Sequence, residues 1–483
     1  MGVSGSGDSC VYPQVTPVLE PRDGPVHFIG IGGAGMSPLA EVLLARGVAV
    51  SGSDLRTSAI TERLAAHGAR IAVPHAAEAL NGARTVVVST AIRPENPELV
   101  AARKRGLRVL HRSELLGALL AGKHAIAVAG THGKSTTSGM IATVLAEVGM
   151  DPTAIVGAEM RNLGGHHRIG VGPHFVLEAC ESDGSFLNYP GCSQVITNLE
   201  PDHLDQHHTF ENLREVFRRF IGLGRPDGFL VYCADSAELR ALAPGAPGTR
   251  VSYGQAADAD YRLSAVETGL QSCAFTLRAP DGRDRRVELS VPGEHNALNA
   301  AATLAAVEQL GVDLDGAAAA LTAFTGVGRR FEVIHEGNGL LLIDDYAHHP
   351  TEIAATLATA RRAWGGRIIA VFQPHLYSRT KLLAEGFSRA FRDADEVIVT
   401  EIYRAREDPI PGITGEWLAD QVRRAEPGKP VRCLGTNEDV ARELGPRLTA
   451  GDMVLTIGAG DVREVGERLR RGLVEQDVQD EAG

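Results

Sequence analysis

Residues 125–147 read AIAVAGTHGKSTTSGMIATVLAE. An apolar strand turns through Gly130, Thr131, His132 and Gly133 and enters a helix at Lys134, Ser135 and Thr136. That is the context of a phosphate cradle, in which backbone N–H groups and the positive end of a helix face an anion. Lys134 would reach the β- and γ-phosphates of ATP, and the Ser135 hydroxyl would ligate Mg²⁺. Val128 stands where the standard G-x-x-x-x-G-K-[ST] loop has glycine. An ordinary glycine turn would explain Gly130 and Gly133 but not the Lys-Ser pair at the helix start, so ATP binding is the expectation.

Hard oxygen ligands for Mg²⁺ should follow at later strand ends. "VLEACESDGSF" brings Glu178 and Glu181 to such an end, and "ITNLEPDHLDQHH" brings Asp202, His203 and Asp205. His203, His207 and His208 could be read as a zinc group, but neither cysteines nor an H-E-x-x-H frame accompany them. A second glycine turn lies upstream in "PVHFIGIGGAGMSPLAEVLLARGVAVSGSD", with Gly30, Gly32 and Gly35 in G-x-G-x-x-G spacing and Asp54 ending the next apolar run. This pattern suits a dinucleotide. A nicotinamide-dependent dehydrogenase, however, would leave the Gly130–Ser135 loop without work.

These motifs need strands and helices to hold them. Apolar runs alternate with helical stretches almost throughout, the signature of parallel α/β sheets. Runs at 26–31, 48–52 and 85–89 form a first unit with a helix at 36–46, and a glycine break near Gly122 closes it. "AIAVAG", "HFVLEA", "SQVITN" and "GFLVYCAD" are strands of a second unit, with a hairpin excursion over 250–292 and the helix "NALNAAATLAAVEQLG". From Phe331 the rhythm resumes through "LLLIDDYAHHP", "RIIAVFQPHL", "DEVIVTEIY" and "DMVLTIGAGD". The expected division is a disordered leader at 1–24, domains at 25–122, 123–327 and 328–470, and a frayed polar tail at 471–483. At 483 residues, three domains fit a size of ~150 residues each.

With 48 basic and 60 acidic side chains the net charge is −12, which disfavours a nucleic-acid partner. Six scattered cysteines without a C-x-x-C pair suggest a reduced protein. Neither a membrane span nor a secretory leader is read in the sequence, so the expectation is a cytoplasmic enzyme without a membrane partner, a monomer or weak homodimer.

Seven motifs in order, "HFIGIGGAGM", "GTHGKST", "EACESD", "TNLEPDHLD", "HNALNA", "DDYAHHPTE" and "QPHLYSRT", resemble the Mur ligases of peptidoglycan synthesis across roughly residues 25–465. The resemblance implies an α/β protein of three domains: a Rossmann-like domain binding UDP, a central P-loop ATPase domain and a C-terminal Rossmann-like domain. It implies that Gly32, Gly33, Ala34 and Gly35 approach the pyrophosphate of a UDP-sugar, with Asp54, Ser89 and Thr90 beside it. A glycine turn at a helix N-terminus recognises pyrophosphate whichever nucleoside is attached.

The implied reaction uses ATP and Mg²⁺ to join L-alanine to the lactyl carboxylate of UDP-N-acetylmuramate through an acyl phosphate. By resemblance, Ser135, Glu178 and His203 hold metal and Lys134 steadies the transferring phosphoryl group. His295, Asn296 and Asn299 lie by the adenine, and Asp345 holds the ribose. Arg329 faces the phosphates or the reacting carboxylate, while His348 and Arg379 serve the amino-acid and acyl-phosphate region.

Other Mur ligases carry a modified lysine on the helix after the D-H motif; "TFENLREVFRRFIG" has Arg214, Arg218 and Arg219 and no lysine, which fits the alanine-adding branch. The alternatives are a recycling ligase that attaches a preformed peptide, a folylpolyglutamate-synthase-like ligase, which should lack the first domain, and an inactive scaffold, which should have lost Lys134, Glu178 or His203.

Overall fold

The computed structural model describes residues 24–405 and 407–482, with side chains through residue 475. The leader expected at 1–24 therefore lies, but for Gly24, outside the described residues. The first sheet has five parallel strands, β1 (Val26–Ile29), β2 (Val50–Ser53), β3 (Arg70–Ala72), β4 (Thr85–Val88) and β5 (Arg108–His111), in the order β3-β2-β1-β4-β5. This is a doubly wound order whose switch point lies between β1 and β4, where the carboxyl ends open a crevice. The first glycine turn leaves β1 there, and Ser89 and Thr90 follow β4 directly.

The second sheet has ten strands: β6 (His124–Ala129), β7 (Thr153–Met160), β8 (Gly165–Arg168), β9 (His174–Glu178), β10 (Ser193–Ile196), β11 (Phe229–Cys233), β12 (Thr249–Gly254), β13 (Tyr261–Thr268), β14 (Cys273–Arg278) and β15 (Asp284–Leu289). Their order is β15-β14-β13-β12-β11-β10-β6-β9-β7-β8. β6 sits centrally between β9 and β10, so the phosphate loop opens between the strands that deliver Glu178 and Asp202–His203. The expected hairpin excursion is the antiparallel run β13–β15.

The third sheet comprises β16 (Glu332–Gly337), β17 (Leu340–Asp345), β18 (Arg367–Phe372), β19 (Glu396–Val399), β20 (Val431–Cys433) and β21 (Asp452–Ile457), ordered β16-β17-β21-β18-β19-β20. All its pairings are parallel except the β16 edge.

One continuous apolar core joins the first and second domains, from Val26 to Val327, and a smaller separate cluster of Ile29, Leu80, Val86, Leu99 and Ala102 lies in the first domain. The third sheet packs two cores of its own, neither continuous with that of the first two domains. Its junction with the second domain is largely ionic, as in Arg161–Glu332 at 3.3 Å, Arg379–Asp202 at 3.2 Å and Arg362–Glu294 at 2.9 Å.

The tail departs from the expected frayed segment. The helix Arg463–Ala482 crosses residue 471 without a break. Leu469 is buried and Leu473 packs on the same core, while Arg468 pairs with Glu464 one turn back. The five described cysteines are free. Among the described residues, no helix is long and apolar enough to cross a membrane.

Candidate active site

The turn between β6 and the helix Lys134–Glu147 is built for close approach. Gly133 caps that helix at φ +80°, and a Cβ there would stand 2.6 Å from Asn299 Oδ1. Only glycine takes that backbone without strain and leaves that space. Thr197 and Asn198, at the end of β10, hold the turn from below: the Asn198 side chain accepts from His132 N–H at 2.8 Å, and its amide donates to His132 O.

Two cavities meet at this turn. The larger, about 910 Å³, lies between the middle and C-terminal domains and includes Lys134, Ser135, Glu178, His203, Arg329, His348 and Arg379 in its wall. The smaller, about 290 Å³, has Thr136, His295, Asn296, Asn299 and Asp345 in its wall. His132, Gly133, Ser135, Arg330 and Glu352 face both. The phosphate loop is thus a wall common to both spaces.

In the larger cavity the Lys134 ammonium donates to Glu181 at 3.0 Å and to the Gly130 and Thr131 carbonyls. Burial alone would lower its pKa, but Glu181 and the other acidic groups around it raise it, so the charge is kept. Ser135 Oγ donates to Glu178 Oε2 at 2.7 Å, and Gly157 N–H donates to the same oxygen at 2.8 Å. Burial pulls the His203 pKa down to about 4, so its imidazole is neutral and able to coordinate. Ser135, Glu178 and His203 share the wall of this cavity, with His203 Nε2 3.6 Å from both Glu181 and Asp202, and a hydroxyl, carboxylates and an imidazole beside a phosphate loop are donors suited to a divalent cation.

His348 is likewise pushed by burial down to about 3. Arg379, buried, bonds Asp202 at 3.2 Å and faces the cavity with it.

Two expectations change in detail. The Arg329 guanidinium is committed within the C-terminal domain, donating to Asp344 at 2.9 Å and to the carbonyls of Gly458 and Gly460. Although Arg329 lines the large cavity, Arg330 is the arginine that faces both spaces, with Glu352 at 3.4 Å and the Tyr346 ring below it. Asp345 is buried and accepts from Phe331 N–H, Ala347 N–H and Thr356 Oγ. Burial lifts its pKa to about 6. Its oxygens thus brace the hinge after Arg330. Neither Arg330 nor Glu352 stands out in the sequence; Glu352 also completes the capping box of the helix Pro350–Ala363.

Near β1, the Gly32 amide donates to Asp54 Oδ2 at 2.9 Å. Gly33, Ala34 and Gly35 are exposed at the tip of the turn. His207 Nε2 donates to the Glu181 carbonyl at 2.9 Å, its geometry being that of a loop brace.

The sequence matches the Mur ligase family pattern in three consecutive parts: the Mur ligase catalytic domain over 25–124, the middle domain over 128–307 and the glutamate ligase domain over 329–460. The chain belongs to the Mur ligase family. It is 50% identical to a UDP-N-acetylmuramate–L-alanine ligase of Renibacterium salmoninarum, covering 92% of this chain and 95% of that protein. A protein of the same name from an Anaeromyxobacter species is 43% identical over 95% and 99%. The crystal structure of a UDP-N-acetylmuramate–alanine ligase from Thermotoga maritima superposes with TM-score 0.77 at 30% identity, covering 94% of this chain and all of that one. A murein peptide ligase from Psychrobacter arcticus superposes with TM-score 0.66 at 25% identity, covering 93% and 98%.

Proposed function

We propose that this chain joins L-alanine to the lactyl carboxylate of UDP-N-acetylmuramate at the expense of ATP, releasing ADP and phosphate. The observation that carries the reading is the shared wall of the two cavities. One phosphate loop serves a nucleoside-sized space and a larger space where a carboxylate and an amine can meet. The relatives' names supply the substrates, and 43–50% identity to alanine ligases outweighs 25% to the peptide ligase.

A carboxylate is a poor electrophile, and transfer of the γ-phosphoryl group to it supplies a leaving group. The amine of L-alanine then attacks the acyl phosphate, forming the amide and expelling phosphate. Positioning and charge stabilisation account for most of the catalysis. Lys134 leaves Glu181 and follows the transferring phosphoryl group. Arg330 covers the phosphates from the C-terminal side. Arg379, whose planar fork suits two oxygens, binds the acyl phosphate or the amino-acid carboxylate next to the neutral His348. His295, Asn296 and Asn299 hold the adenine, while Asp345 keeps Phe331 and Arg330 in place beneath the ribose. Ser135, Glu178 and His203 would hold Mg²⁺, which neutralises phosphate charge. The UDP pyrophosphate lies on Gly32–Gly35, between Asp54 and the Ser89–Thr90 end of β4.

Phosphate release from ATP with UDP-N-acetylmuramate, compared across L-alanine, glycine, L-serine, D-glutamate and a tripeptide, tests this. Release that requires both the sugar nucleotide and L-alanine, with a product heavier by one alanyl residue, is the expected result. Release with the tripeptide alone would move the chain to the recycling branch.

A further inference from the structure

At the domain junction three side chains converge that the reaction above gives no step, His132 and Glu200 among them also lining the smaller cavity. His132 comes from the loop, Glu200 from the segment after β10, and His349 from the start of the helix Pro350–Ala363 in the C-terminal domain. One ligand atom from each lies within 4.8 Å of the others. His132 Nε2 stands 3.5 Å from Glu200 Oε2, and His349 Nδ1 stands 3.9 Å from the same oxygen.

The opposite nitrogens are already held. His132 Nδ1 faces Glu352 at 3.2 Å, and His349 Nε2 faces the Pro201 carbonyl at 3.3 Å. Metal-bound histidines are oriented in this way, with the distal ring N–H donated to a carboxylate or a carbonyl so that the other nitrogen presents its lone pair. His132 Nε2 is buried against Glu200, so a metal between them would take the place of the proton that this ion pair holds. A metal would also displace the long Thr351 N–H to His349 Nδ1 contact at 3.3 Å, and it would share Glu200 Oε2 with the Thr351 hydroxyl, which donates to that oxygen at 2.7 Å.

The geometry points to a second, transition-metal site formed by His132, Glu200 and His349, which takes Zn²⁺ or Co²⁺ rather than Mg²⁺ and staples the C-terminal domain to the middle domain. Two imidazoles and one carboxylate with a fourth position open suit these softer ions, whereas Mg²⁺ prefers an oxygen shell. Because two ligands belong to one domain and the third to the other, occupancy fixes the closed arrangement. The consequence is inhibition of turnover by Zn²⁺ that added Mg²⁺ does not relieve.

Co²⁺ titrated into the full chain in excess Mg²⁺, followed by visible absorption, tests the site. The expected result is a saturable d–d band of one equivalent. His349→Asn, which keeps a helix cap, and Glu200→Gln, which keeps an acceptor for Thr351, should each weaken Co²⁺ binding by about tenfold or more. Glu178→Gln should leave the band in place. A band that survives both His349→Asn and Glu200→Gln, one that disappears in Glu178→Gln, or no band at all overturns the proposal. Circular dichroism and Tm of each variant establish that a lost band is not a lost fold.

Discussion

The chain has two glycine turns at strand-to-helix junctions, and they are held in opposite ways. The Gly30–Gly35 turn lies within one domain, is braced by Asp54 on the Gly32 amide, and leaves Gly33, Ala34 and Gly35 exposed. The Gly130–Ser135 turn is walled by two domains, and its charged groups are already engaged: Lys134 with Glu181, and His132 with Glu200 and Glu352. A turn that offers only amides can wait in the open. A turn that carries a lysine must keep that charge paired until phosphate arrives, because a buried ion without a partner costs several kcal/mol. The first cradle is thus suited to holding a substrate and the second to exchanging partners during a reaction.

Lys134→Ala should separate the two most sharply. It removes the ammonium that the second turn offers to a transferring phosphoryl group, and turnover should fall by about 10²–10³-fold or more, the range seen when a single transition-state donor is lost. UDP-N-acetylmuramate binding, measured by calorimetry, should remain within a small factor of wild type, which also reports that the fold survives. Loss of both together would place the two turns in one site and break the contrast.

The ionic wall of the second cradle should respond to acid. Burial would raise the Glu332 pKa, but its bonds to Arg463, to the Arg329 N–H and to Arg161 hold it down to about 2. An unfolded glutamate titrates near ~4.3. Because the folded value is the lower one, the stabilisation is complete above ~4.3 and is lost as pH falls through about 2. Glu332→Gln should cost about 1.5–3 kcal/mol at neutral pH, the worth of hydrogen bonds to a charged group, and should flatten the acid limb of the unfolding curve. Urea melts between pH 7 and pH 3 would show it; parallel curves for wild type and variant would sink the idea.

The architecture was legible because its signals are local. Glycine spacing, a Lys-Ser pair and apolar runs such as Val26–Ile29 and Leu340–Asp345 need no distant partner to be read. Short edge strands such as Arg70–Ala72 and Val431–Cys433 went unread because three residues carry too little periodicity to stand out. The helical tail was misread for the opposite reason: polar residues on one face masked Leu469 and Leu473 on the other. At the site, the residues singled out in the second and third domains line the two cavities, yet spacing could not say which of Arg329 and Arg330 borders both. That choice depends on Asp344 and the Gly458 and Gly460 carbonyls, which are 15 to 131 residues away.

A smaller effect should mark the first cradle. Asp54→Ala leaves the Gly32 N–H without its carboxylate, and a charge-assisted hydrogen bond of this kind is worth ~1.5 kcal/mol. The KM for UDP-N-acetylmuramate should rise about tenfold, with kcat and the KM for ATP little changed, since each 1.4 kcal/mol is tenfold. Steady-state kinetics with each substrate varied in turn would decide it. A fall in kcat alone would mean that the first turn takes part in the chemistry and does more than hold substrate.

The smallest effect should come from Ser135→Thr, and its smallness is informative. The substitution keeps the hydroxyl that donates to Glu178, and the added methyl has room because Ser135 borders both cavities. The β-branch costs a few tenths of a kcal/mol of helix propensity in the first turn, where its strain is least coupled to the rest of the helix. The change in kcat/KM should therefore stay under about threefold, within the ~0.5 kcal/mol typical of substitutions that disturb no special feature. Ser135→Ala removes the same oxygen and should behave as a loss of metal ligation, raising the Mg²⁺ concentration needed for half-maximal rate. If Thr and Ala were equally damaging, the hydroxyl would not be what matters at this position, and the cradle would have to hold phosphate through its amides and Lys134 without a metal ligand at Ser135.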